Sequence, residues 1–346
     1  MKSINPSGSR VCLDKRDSVF DFLKLADSAR LKVVQFSEPL PLSLLESLNE
    51  ELFARRPDVE LRVFGFYSGV CDLSFCSRMF NVRRFRADCL QHAVGVEHIA
   101  KMPKLESLGL GIFDLTSFAV LKEVNTSLSE LFLLDTRSKK PDLSIIARFH
   151  SLQKLCIVGQ QKNMDVLSSL RTLEELTLGS VTVRTLRMVK ELPLLASLRI
   201  TLGGTTDLTD LHDMHTLKYL ELWKILGLEE INVISTLTGL QSLFLQELTR
   251  ITKLPPCNKL VNLRRIALDD LKNLTDLSAL NEASSLSELS HISSKLSPDD
   301  YLPLLKNGKL RYAHVGFGSV KKNDYFSLLC RENGVVCGVN SSFAIQ

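Results

Sequence analysis

Residues 195–200, 217–222 and 240–245 read LASLRI, LKYLEL and LQSLFL. Each has apolar residues at its first, fourth and sixth positions, and each copy begins 22 or 23 residues after the one before. Working outward, the same apolar-x-x-apolar-x-apolar template starts at Val82, Leu105, Leu128, Leu152, Leu173, Leu195, Leu217, Leu240, Leu263, Leu286 and Leu310. Weaker copies are Leu31-Val34-Phe36, Leu61-Phe64-Phe66 and, among those just given, Val82-Phe85-Ala87 and Leu310-Ala313-Val315. From Val82 to Leu310 the steps are all 21–24 residues, and a period this regular marks a stack of small repeated units. One unit cannot bury its apolar face alone, so neighbouring units stack and share a continuous core. In a short strand, alternation turns positions 4 and 6 inward and leaves positions 3, 5 and 7 on the opposite face.

Period and local motif together resemble the leucine-rich repeat family over residues 31–318. The resemblance implies an α/β fold: a right-handed solenoid, or horseshoe, with a concave parallel β-sheet of about 13 strands. Short helices and 3-10 turns are expected on its convex side. One feature departs from the family pattern. The third residue after the last apolar position, where the family has Asn or Cys, is Phe113, Thr136, Gln160, Val181, Gly203, Ile225, Leu248, Leu271 or Ser294. The side-chain ladder that Asn forms there is therefore absent.

The chain is read as a single domain, residues 1–346. Residues 1–30 are a helical N-terminal cap, 31–318 the repeats and 319–346 a C-terminal cap. The caps are needed because an open solenoid end exposes core. Helices are predicted at 17–30, 41–57, 297–308 and 323–334, with VVCGVN (335–340) as a last strand. Short convex helices are predicted at 142–149, 165–173 and 183–192. Segments 248–260 and 271–280 place Leu or Ile at every third position, which suits extended or 3-10 turns.

Composition narrows the function classes. A net charge of +4 over 346 residues does not point to a nucleic acid or a membrane. The polar N-terminus lacks a secretory pattern, and no run approaches the ~18 apolar residues of a membrane span. The eight cysteines show no CxxC pair or regular framework, which suits reduced thiols in a cytoplasm. No phosphate loop, nucleophile elbow or HExxH is present, so neither catalysis nor a cofactor is expected.

Four features bear on chemistry or binding. His212 and His215 lie in HDMH (212–215) beside Asp210 and Asp213; a metal site there would need more ligands at fixed spacing, and a solvated loop is the expectation. His291 stands where other repeats have Leu or Ile, as a buried switch, a slipped register or a hydrogen-bonded core histidine. Cys156 falls on the outward strip without a matching His and reads as an inert thiol. The basic runs at 54–56, 83–86 and 138–140 read as solvated charge or contacts to an acidic protein. Within them Arg84 and Arg86 take positions 3 and 5.

The outward positions carry the functional expectation. Tyr219, Glu221 and Trp223 occupy one strand, with Ser197, Arg199 and Thr201 before it. Ser242, Phe244 and Gln246 follow, then Arg265, Ala267 and Asp269. Strands ~4.8 Å apart unite these into one patch of the residue types that dominate protein interfaces. The alternative is that the rings lie over small neighbours and merely cover the sheet. Phe132 and Leu134 form a smaller cluster. The expectation is a non-catalytic protein, monomeric before binding, that holds a protein partner on the concave face. Small molecules, nucleic acids and membranes are not expected partners. A cytoplasmic inhibitor, such as an immunity protein against a toxin, is one form. The other is a delivered effector or substrate-recruiting adaptor working with a separate catalytic chain.

Overall fold

The computed structural model describes residues 2–3, 8–66, 69–138, 140–159 and 162–338. Gln160, Lys139 and residues 339–346 of the C-terminal cap lie outside the described residues. The chain forms two compact units, Met1–Leu173 and Glu174–Gln346, taken here in turn.

In the first unit the sheet strands are β1 (Lys2–Ser3), β2 (Arg10–Cys12), β3 (Val33–Phe36) and β4 (Glu60–Phe64). After them come β6 (Arg84–Leu90), β8 (Ser107–Ile112), β9 (Glu130–Leu133) and β10 (Lys154–Val158). All pair in parallel except β1, which is antiparallel to β2. A separate parallel pair is β5 (Cys71–Asp72) with β7 (Ala93–Val94). Alternation within each strand drives the core. Val34, Leu61, Phe85, Leu108, Leu131 and Leu155 stand side by side in register and are at most 2% exposed. Helix α1 (Val19–Ala26) packs Phe22 and Leu25 inward. Its entry is fixed by Ser18, whose backbone N–H donates to Asp21 Oδ2 at 2.9 Å. Helix α2 (Leu42–Leu48) continues as a π turn over Asn49–Phe53, so the predicted 41–57 helix is present with a wider final turn.

In the second unit all eight strands are parallel and follow chain order. They are β11 (Glu175–Gly179), β12 (Ser197–Thr201), β13 (Tyr219–Trp223), β14 (Ser242–Gln246), β15 (Arg265–Asp269), β16 (Glu288–Ile292), β17 (Tyr312–Val315) and β18 (Val336–Cys337). Leu198, Leu220, Leu243, Ile266 and Leu289 form one buried row, and Ile200, Leu222, Leu245, Leu268 and His291 the next. Full burial of each such side chain contributes ~1.5–3 kcal/mol.

Every one of the thirteen motif segments becomes a sheet strand; β1, β2 and β18 are additional. One register needs correction. At Leu61-Phe64-Phe66 the inward residues of the strand are Leu61 and Val63, while Phe64 turns outward under the Arg62 guanidinium. Pairing of Val34 with Leu61 and of Phe36 with Val63 settles it. The predicted convex helices at 142–149 and 165–173 are 3-10 turns, Ser144–Arg148 and Met164–Ser169. These return segments are short, and a 3-10 turn rises faster per residue than an α-helix. Only Arg187–Lys190 (α3) makes an α turn among those three segments. Segment 248–260 is irregular, with turns at 249–250 and 258–259 and a single bridge residue, Lys253, and no helix, while 271–280 ends in a 3-10 turn. Pro298–Tyr301 is 3-10, continuing into α4 (Leu302–Lys306), and α5 (Val320–Glu332) closes the described chain before β18.

The missing Asn ladder has a backbone replacement. Ser180, Leu202, Lys224, Glu247 and Asp270, each immediately after a strand or one residue beyond its end, have φ between 49° and 58°. Each then donates its N–H to the next coil: to Thr201, Trp223, Gln246, Asp269 and Ile292 carbonyls at 2.8–3.1 Å. The left-handed conformation costs a non-glycine residue ~1–2 kcal/mol, and the hydrogen bond offsets part of that. The side chains at the former Asn position are then free to be apolar, and Val181, Ile225, Leu248 and Leu271 join the core.

Candidate recognition surface

In β13, Leu220 and Leu222 point into the core while Tyr219, Glu221 and Trp223 turn out and are half-buried. Register places Arg199 beside Glu221, Phe244 on its other side and Ala267 beyond Phe244. The same register aligns Thr201, Trp223, Gln246 and Asp269. All twelve second-unit residues expected at the surface therefore share one face of one sheet.

Their polar atoms are organised within the face. The Arg199 guanidinium carbon lies 4.8 Å from the centre of the Tyr219 ring, and its Nε is 3.3 Å from Glu221 Oε2. The Tyr219 hydroxyl donates to Glu221 Oε2 at 2.8 Å. Burial, then the Glu221 charge, pushes that phenol well above its ordinary range, so it stays a donor. Trp223 Nε1 donates to Glu247 Oε1 at 3.1 Å. Lys224 Nζ is 3.1 Å from Glu247 Oε2, and the Trp223 and Lys224 hydrogen bonds lower the Glu247 carboxyl. Gln246 Nε2 donates to Asp269 Oδ2 at 3.1 Å. Asp269 shifts upward, first through burial and then through Asp270 and Glu247. Arg265 Nε is 3.0 Å from Glu288 Oε2. Phe244 has a small neighbour, Ala267, alongside.

Arg84, Arg86 and Phe132 belong to the first unit and form their own cluster. Arg84 reaches Glu130 Oε2 at 2.5 Å, and Ser107 Oγ donates to the same oxygen at 2.9 Å. Arg86 reaches Glu60 at 3.3 Å and stacks on Phe132, its guanidinium carbon 4.4 Å from the ring centre. Both arginines are thus engaged inside the fold.

The remaining candidates resolve individually. His215 Nδ1 is 2.9 Å from Thr238 Oγ1, and His212 Nδ1 is 3.0 Å from Asp213. The two rings serve different partners, and among the described residues no group of three or more His, Cys, Asp or Glu could hold a metal. His291 keeps the repeat register between Leu268 and Val315. It is a hydrogen-bonded core histidine: Nδ1 is 2.7 Å from the Tyr301 hydroxyl, itself 2.8 Å from Ser294 Oγ. Cys156 faces outward, half-buried, beside Phe132. Among the described residues no helix is long and apolar enough to cross a membrane.

Sequence reasoning missed Glu247, Lys224, Glu175 and Glu288. A signal for the first two was present: polar residues recur every 23 positions at Lys224, Glu247, Asp270 and Ser293, one place beyond the outward strip.

No protein-family model and no curated protein sequence matches the chain. Solved structures do. An internalin of Listeria monocytogenes is 20% identical, with 89% of this chain and 81% of that one aligned and a TM-score of 0.52. The mouse RP105/MD-1 complex aligns at 16% identity over 83% of this chain and 51% of the other, TM-score 0.54. A TLR13–ssRNA13 complex aligns at 14% identity over 89% and 54%, TM-score 0.50. The chain has the leucine-rich repeat fold. It spans about half the length of the RP105 and TLR13 chains. Within the leucine-rich repeat fold, the aromatic and charged residues just described occupy the exposed side of the strand ladder.

Proposed function

We propose that the chain is a non-catalytic recognition protein that binds a protein partner on the outward face of β12–β15. The observation that carries this reading is the cluster of half-buried outward rings, Tyr219, Trp223 and Phe244, set on adjacent strands of one sheet. Interface hot spots combine such aromatics with Arg, and rigid anchors lose little entropy on binding. Arg199, Glu221, Gln246, Arg265 and Asp269 surround the rings and set the orientation of the partner. Arg84, Arg86 and Phe132 offer a second contact area in the first unit. The fold supports the reading, since one similar structure is a complex with the protein MD-1. Another is a complex with single-stranded RNA, but the outward and following positions of β11–β16 carry six carboxylates against three cations, the opposite of a phosphate-binding stripe.

As a more specific form we propose a cytoplasmic inhibitor, such as an immunity protein against a toxin, acting by occlusion and monomeric until bound. The eight cysteines, all unbridged, suit a reducing compartment. The second form is an effector or adaptor subunit that brings a substrate to a separate catalytic chain. Affinity capture with wild type beside Trp223→Ala and Phe244→Ala tests the common core. Circular dichroism first establishes that the variants fold. A partner held by wild type and lost from both variants is expected; equal capture by all three would remove this face as the binding site.

A further inference from the structure

Three rings on the outward sheet faces already carry a guanidinium, and in each case a carboxylate completes the arrangement. Arg62 lies over Phe64 with its Nε 2.8 Å from Asp88 Oδ1. Arg199 lies over Tyr219 with Glu221 at 3.3 Å. Arg86 lies over Phe132 with Glu60 at 3.3 Å. Trp223 has the same surroundings without the cation. Glu247 accepts from its indole N–H; Asp269 stands in the same register row two strands away, beyond Gln246, and Asp270 follows it just past the end of β15. Yet among the described residues no Arg or Lys stacks on the indole. Lys224 is turned to the other oxygen of Glu247, and Asp269 receives only the neutral amide of Gln246 among its side-chain contacts. Burial first, and then the charges of Asp270 and Glu247, raise the Asp269 carboxyl.

The wider charge balance agrees. The outward and following positions of β11–β16 include Glu175, Glu221, Glu247, Asp269, Asp270 and Glu288 against Arg199, Lys224 and Arg265. The chain as a whole is +4, so this face is negative on a positive protein.

We infer that Trp223, Glu247 and Asp269 form a seat for an arginine side chain presented by the protein partner. This rests on the reading of the same face as the binding surface and names the chemistry that it recognises. Trp is the strongest cation–π ring, and a guanidinium can stack on it while donating edge-on to flanking carboxylates. Charge complementarity of this kind also raises the association rate and makes it depend on salt.

The test is selection of a randomised peptide library on the immobilised full chain, with Trp223→Ala as counter-selection. Peptides that depend on Trp223 are expected to share an arginine. Exchanging that arginine for citrulline should weaken binding at least tenfold. The Glu247→Gln/Asp269→Asn double variant should do the same and flatten the salt dependence. Trp223-dependent peptides that are neutral or acidic, or that bind the double variant unchanged, would overturn the arginine seat while leaving the surface intact. If no peptide depends on Trp223, the seat and the surface reading fall together.

Discussion

The guanidinium of Arg86 reaches the ring of Phe132, two strands away, across Gly109. The three residues stand in one register row, and a Cβ on Gly109 would lie 2.8 Å from Arg86 Cγ. The glycine therefore leaves a channel for the arginine stem. Gly109→Val is expected to displace Arg86 and remove the contact. A double-mutant cycle of Arg86→Ala and Phe132→Ala should give a coupling of ~0.5–1 kcal/mol in denaturant unfolding. In the Gly109→Val background that coupling should vanish.

Neighbouring residues of β13 should respond in opposite ways. Leu222 is fully buried, so Leu222→Ala should cost ~2–5 kcal/mol. Trp223 is outside the core and Trp223→Ala should cost ~1 kcal/mol or less. Urea unfolding curves of the two variants decide this. Similar losses in both would mean that the indole belongs to the core.

Gly239 should not tolerate a side chain. Its backbone passes so close to the preceding coil that an added Cβ would lie 1.9 Å from the His215 carbonyl oxygen. Backbone cannot swing aside like the end of a side chain, so Gly239→Ala should destabilise by ~2 kcal/mol or more. A thermal melt of the variant beside Gly227→Ala gives the comparison, since there a Cβ would approach only the Thr206 methyl, at 3.4 Å. Gly227 has φ 84°, so its alanine variant reports the cost of backbone conformation instead.

His291 should make the fold weaker in acid. Burial holds its pKa at about 4, below the ordinary 6.5. Between those values the unfolded chain binds a proton that the folded chain refuses, so stability is full above pH 6.5 and falls as pH drops towards 4. The loss is at most ~3 kcal/mol. His291→Leu, which restores the residue type of the other repeats, should remove this part of the slope in denaturation measured from pH 7 to 4. An unchanged slope would mean that other groups carry it.

Much of this protein was legible before any coordinates. The Leu-x-x-Leu-x-Leu period determined the strand positions, because burial on one side of a strand and exposure on the other is a period-two constraint that sequence states directly. It sent Tyr219, Glu221 and Trp223 outward, as they stand. The period alone leaves His291 open between a core position and a slipped register, and strand pairing places it inward. The copy at Leu61 went astray because Val63, Phe64 and Phe66 are all apolar, and only pairing with β3 selects among them. Tertiary structure also decided which charges are already engaged. Arg84, Arg86 and Arg199 read as free contacts in sequence, but carboxylates 22 to 46 residues away in the chain fall within reach once the strands align. The left-handed residues after β11–β15 and the channel at Gly109 were likewise hidden. They arise from the distance between adjacent coils, which a single repeat does not encode.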